Sequence, residues 1–215
     1  MLKNLLKVSL IAGIAAASYF VGTQYNSDSQ SISEAVDPQV VETPLESQTQ
    51  PDPQIDTEID TSTLTAPSDP QAALAWNALM DPEGEYAAYA MYSAVIVEFG
   101  SVEPYVSIRE AEGRHIEALI RQLSRYGVVV PENPYLGKVL APEDLQTAAE
   151  AWAIGEIANV ELYDKLLAQT SDSNLIKVFT NLRASSNDQH LPMFTAAAKN
   201  GGQLTAEQMT QFMSR

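Results

Sequence analysis

The sequence predicts an all-α fold, a four-helix bundle with one long crossover loop. Four stretches of the chain place apolar residues at steps of three and four, the spacing that lines one face of a helix. Those stretches form two similar halves. Glu85 has Tyr92 seven residues on, and Glu156 has Tyr163 at the same distance. Each half then offers a polar residue three positions before a histidine, Glu112 before His115 and Asn187 before His190. Between the halves, Val128 to Ala141 holds Pro131, Pro134 and Gly137, a loop long enough to cross from one helix pair to the next.

The elements follow in order. Met1 to Lys7 is a short basic start, and Val8 to Val21 is apolar and rich in Ala, Ile and Leu. Lysines before an apolar core form the pattern of a secretory signal, with Ala15-Ala16-Ala17-Ser18 as a small-residue cleavage site. Residues 1–25 read equally as an uncleaved membrane anchor built on residues 5–22. Both readings export the remainder, to the periplasm or the cell surface. Residues 26–69 are rich in Ser, Thr, Gln, Pro and Asp and carry no base. Such a stretch cannot bury enough apolar surface to offset the entropy of ordering, so it is expected to be a disordered acidic linker.

Ser68-Asp69-Pro70 opens a helical region assigned to residues 70–200. A short helix reaches about Leu79, and Asp81-Pro82 restarts the chain. The first long stripe is Glu85, Tyr89, Tyr92, Ile96 and Phe99, closed by Gly100. Glu103-Pro104 begins the second, with Ile108, Glu112, His115, Leu119 and Leu123, closed by Tyr126-Gly127. Pro142-Glu143-Asp144 opens the third, with Ala149, Trp152, Glu156, Val160, Tyr163 and Leu167. The fourth carries Leu175, Phe179, Leu182, Ser186, His190 and Met193, with Pro192 predicting a kink or break beside His190. Residues 201–215 follow Gly201-Gly202 as one small helix.

Composition narrows the chemistry. The formal charge of −16 over 215 residues is uneven: +2 in residues 1–25, −10 in 26–70 and −8 in 71–215. An acidic domain argues against nucleic acid, whose binding rests on Lys and Arg neutralising phosphates. The absence of cysteine excludes disulfides, thiolate-ligated zinc, Fe–S clusters and a lipid-modified cysteine. The chain has two histidines. Glu112 and His115, at i and i+3 on a helix, share one face and can offer a carboxylate and an imidazole to one metal. Four helices supplying Glu, Glu-x-x-His, Glu and Glu-x-x-His form the inward-facing set of di-iron and di-manganese bundles. Here five of the six positions are filled and Asn187 stands at the sixth. An amide oxygen is a weak neutral ligand, and Asp188 at i−2 from His190 points to another face, so one metal, an asymmetric pair or a lost site all stay open.

At these residues the chain resembles the ferritin-like superfamily, in particular a family of exported bacterial ferritin-like domains of no settled activity. The matching stretches are Glu85-Tyr86-Ala87-Ala88-Tyr89-Ala90-Met91-Tyr92, Glu110 to Leu119, Glu156 with Glu161 to Asp164, and His190-Leu191-Pro192-Met193-Phe194. The resemblance covers residues 71 to 200. It implies metal ligands at Glu85, Glu112, His115, Glu156 and His190, with iron or manganese, one or two ions, as the cofactor. It further implies oxidase, peroxidase or metal-handling activity. The competing expectation is a metal-free binding or structural module that kept the bundle after its site decayed. Tyr89, Tyr92, Tyr163, Trp76 and Trp152 are read as core, and Glu110, Glu117 and Glu161 as solvated or outer acids. The expected partners are the metal ion and, for an uncleaved segment, the membrane; a homodimer is left open.

Overall fold

Side-chain caps start most helices where the sequence places them. Asp69 accepts from the backbone N–H groups of Gln71 and Ala72, each at 2.9 Å, and opens α1 (Pro70–Met80). Asp144 accepts from the Thr147 N–H at 2.7 Å and opens α4 (Leu145–Leu167). Asp172 does the same for α5 (Ser173–Ser185) through Asn174 at 2.7 Å and Leu175 at 3.3 Å. Thr205 and Gln208 form a reciprocal capping box on α7 (Ala206–Met213). The remaining elements are α2 (Glu85–Phe99), α3 (Tyr105–Arg125) and α6 (Leu191–Ala198). A π-helical turn, Ser186–His190, joins α5 to α6.

The computed structural model describes residues 64–214, which are all-α, with no β-strand among them. The expected signal or anchor and nearly all of the expected linker lie outside the described residues. No helix among the described residues is long and apolar enough to cross a membrane.

α2 packs along α3, α4 packs along α5 and α6, and α1 lies against α3, with lesser contact to α2 and α4. Two apolar clusters result. One holds Leu79, Tyr86, Leu119, Leu123, Tyr163, Leu166 and Phe179; the other holds Tyr92, Val95, Tyr105, Ile108, Trp152, Met193 and Phe194. Along α3, α4 and the α5–α6 segment, the polar residues of the site fall between members of one cluster and members of the other. The burial on both sides supplies most of what holds this polar layer in place, at roughly 1.5–3 kcal/mol for each large apolar side chain.

Several details differ from the periodicity. On α2 the buried residues are Glu85, Tyr86, Ala87, Ala90, Tyr92 and Val95, whereas Tyr89, Ile96 and Phe99 are half-buried. The buried arc widens because the crossover loop covers the Tyr86 side. Tyr86 Oη donates to Pro131 O at 2.9 Å, and Asn133 Nδ2 donates to Tyr86 O at 2.8 Å. Tyr135, in the same loop, is buried and donates to Met80 O at 2.6 Å. On α4, Leu166 is buried and Leu167 half-buried. Trp76 and Trp152 are core, as read from the sequence.

Two glycines are required by close approach. A Cβ on Gly84 would clash with the Ala78 carbonyl oxygen, so only glycine lets α2 begin against the end of α1, one residue before Glu85. Gly202 has φ +87°, and a Cβ there would run into the Leu145 backbone. Tyr105 Oη closes this junction, 3.0 Å from Gly202 O and 3.1 Å from Leu145 O.

Candidate metal centre

The structure brings Glu85, Glu112, His115, Glu156 and His190 into one cluster. Glu85 stands in the first turn of α2, Glu112 and His115 one turn apart on α3, Glu156 in mid-α4, and His190 at the end of the π turn. The three glutamates and His190 are 1–2 % exposed, which takes them out of bulk water, and the His115 side chain is 12 % exposed.

Glu112 sits at the middle. Its Oε2 is 2.7 Å from His115 Nδ1, and its Oε1 is 3.1 Å from His190 Nδ1. His115 Nδ1 is also 3.3 Å from Glu85 Oε2, and His190 Nδ1 is 3.4 Å from Glu156 Oε1. Two triads therefore share Glu112: Glu85–Glu112–His115 and Glu112–Glu156–His190. In each, one ligand-capable atom per residue lies within 4.8 Å of the others. The two imidazole rings stack at 5.6 Å and 22°.

Two tyrosines complete the cluster crosswise. Tyr92, on the helix of Glu85, donates to Glu156 Oε1 at 2.6 Å; Tyr163, on the helix of Glu156, donates to Glu85 Oε1 in a very short hydrogen bond. The Glu-to-Tyr spacing repeated in the two halves is thus a pair of reciprocal contacts between α2 and α4. Both tyrosines are buried, as a core reading expects, and each also fixes a site carboxylate. Tyr89 is half-buried and lies under Arg109. Glu110, Glu117 and Glu161 are exposed and lie outside the cluster.

The electrostatics follow from burial and crowding. Burial, followed by the neighbouring Glu112 charge, pushes the Glu85 carboxyl up to about 8. Burial also disfavours a charged His115, but the Glu85 and Glu112 carboxylates outweigh it and raise the imidazole to about 10. His190 is raised in the same way: burial opposes its charge and the Glu156 and Glu112 charges prevail. Burial works against the Glu112 carboxylate, yet the His190 charge and the bonds to its neighbours hold it well below the ordinary range. Burial and the adjacent carboxylates push the Tyr92 and Tyr163 hydroxyls well up, so both stay protonated donors.

The sixth position is not where the spacing placed it. Asn187 is exposed and donates its amide to Asp188 Oδ1 at 2.6 Å, turned away from the cluster. The i, i+3 rule assumes an α-helix, and this segment is a π turn in which Leu191 N–H reaches Ser186 O, five residues back. The wider turn takes up the strain of Pro192, which has no N–H, and α6 continues beyond it. It sets Ser185 against the outer side of the His190 ring and Ser186 against Asn159 instead. Ser185 Oγ is 3.1 Å from His190 Nε2, and Ser186 Oγ donates to Asn159 Oδ1 at 2.8 Å. Asn159 in turn donates to Glu83 O at 2.9 Å, so one buried amide ties the π turn to the start of α2. The sequence reading missed Asn159, although an amide three residues after Glu156 on an apolar face was the available signal.

The residues fit a metal. Imidazole nitrogen and carboxylate oxygen suit iron and manganese. His190 Nδ1 is fully buried between two carboxylates but aligned with neither, and makes no hydrogen bond; among the described residues only Trp152 Nε1 shares that condition. Its other nitrogen is held by Ser185, the arrangement that orients a ligating histidine. Glu85, Glu112 and His115 could hold one ion, and Glu112, Glu156 and His190 a second. No family model, curated protein or solved structure matches the chain.

Proposed function

We propose that this chain is an extracytoplasmic ferritin-like four-helix bundle that binds iron or manganese through Glu85, Glu112, His115, Glu156 and His190. The observation that carries the proposal is the buried Glu112 carboxylate shared by two Glu/His triads, each gathered within 4.8 Å. Buried carboxylates are costly unless paired or metal-bound, and three converge here from three helices. Iron or manganese at such a centre supplies redox chemistry with oxygen or peroxide, which is the basis for an oxidase, peroxidase or metal-handling role. The chain's own residues hold and orient. Tyr92 and Tyr163 fix the outer carboxylates, Ser185 sets the His190 ring, and the two apolar clusters exclude bulk water. The N-terminal segment would export the domain and, uncleaved, tether it to the membrane.

A second reading, a metal-free module on the same bundle, is favoured by Asn187, the residue at the sixth motif position, turning away from the cluster. It is also favoured by the ion pairs that let the cluster balance its own charge. Elemental analysis of the full chain beside Glu112→Ala/His115→Ala decides between them. Iron or manganese at one or two ions per chain, lost in the variant, supports the first reading. A folded protein that takes up neither metal after anaerobic loading leaves the second.

A further inference from the structure

A cleft of about 450 Å³ opens between α3, the π turn, α6 and α7, and His190 forms part of its lining. Its volume is in the range of pockets that hold small molecules. Its lining combines apolar Ile108, Met193 and Phe212 with polar Arg114, Asp188 and Gln189. α3 contributes the exposed Arg114, and the π turn presents Asp188 and Gln189 outward while keeping His190 buried. Arg114 is the distinctive group. Arg121, Arg125 and Arg183 each pair with a carboxylate and Arg109 lies over the Tyr89 ring, whereas among the described residues Arg114 has no such partner.

From this juxtaposition we infer that the cleft beside His190 binds a small amphiphilic monocarboxylate, its carboxylate on Arg114 and its tail along Ile108 and Met193. A guanidinium with no carboxylate of its own is suited to bidentate binding of one. The apolar lining residues supply affinity by burying the tail. Asp188 sets the charge limit. Its carboxylate shares the rim with Arg114, so the rim carries one charge of each sign and disfavours a dianion such as phosphate or a dicarboxylate. As a substrate site the cleft rests on the metal reading above; as a binding site it does not.

Calorimetric titration of the full chain with hexanoate, hexanol, adipate and phosphate, with metal content measured on each sample, tests this. Hexanoate is expected to bind at least about tenfold more tightly than any of the other three. Arg114→Gln should reduce hexanoate to the hexanol level, and Ala111→Trp, which fills the cleft, should remove it, both with helical content unchanged. If Ala111→Trp does not fold, Arg114→Gln and the ligand series decide. Hexanol or phosphate binding as well as hexanoate, an unchanged affinity in Arg114→Gln, or no hexanoate binding overturns the assignment. Hexanoate binding with no metal leaves the cleft and removes the metal reading; metal without hexanoate does the reverse.

Discussion

Tyr92 reaches across from α2 to donate its hydroxyl to Glu156 on α4 at 2.6 Å. The contact holds one carboxylate oxygen in place, which under the proposed metal binding would orient that ligand in advance. Tyr92→Phe removes that hydrogen bond and little else. Metal affinity should fall by about 10–100-fold, the usual cost of losing an outer partner. Tyr163→Phe should act in the same way through Glu85. Titration with manganese, followed by the paramagnetic signal of the free ion, checks both.

Glu112 is shared by the two triads, whereas Glu85 and Glu156 each belong to one. Glu112→Gln should therefore abolish binding of every ion. Glu85→Gln and Glu156→Gln should each leave one class of site. Stoichiometry by elemental analysis distinguishes these outcomes.

The metal-free protein should lose stability as pH rises. Glu85 goes from an ordinary 4.5 to about 8 on folding, so folding favours its proton. The resulting preference for the fold is complete below about 4.5 and disappears as pH passes 8. His115 goes from 6.5 to about 10, and its contribution is complete below 6.5 and lost as pH passes 10. Glu112, held low, contributes in the opposite sense and loses its share as pH falls below its ordinary 4.5. Metal binding must displace the protons on Glu85 and His115, so affinity should increase over the window in which the metal-free fold weakens. Melting temperatures between pH 5 and pH 10, with chelator and with manganese, should show the gap widening with pH.

Asn159→Leu should cost about 1–3 kcal/mol, because it strands the buried Ser186 hydroxyl and removes the donor to the Glu83 carbonyl. Urea unfolding of the metal-free protein measures it. Metal affinity should drop as well, since the π turn and the start of α2 lose their common tie.

Gly202→Ala should destabilise more than Gly100→Ala. Both have positive φ, +87° and +85°, but Gly202 faces the Leu145 backbone while nothing lies within 4 Å of a Cβ at Gly100. The first combines backbone strain with a clash, and the second is strain alone, on the order of 1 kcal/mol. Thermal melts of the two variants compare them.

Much of this architecture was legible as sequence. The three-and-four stepping marked the helices because a helix buries one face, and Asp69 and Asp144 stood at starts that need a side-chain acceptor. All five cluster residues lay on those stripes, and Glu85-to-Tyr92 matched Glu156-to-Tyr163. What the pattern could not state is which tyrosine meets which carboxylate, since that depends on how α2 and α4 pack. Nor could it place Asn187. A spacing of three means a shared face only in an α-helix, and the π turn before Pro192 breaks that equivalence. Local periodicity was enough to say which residue types face the centre. That Glu112 serves both histidines and that Asn159 ties two distant segments are set by tertiary packing, because each depends on contacts between helices far apart in the chain.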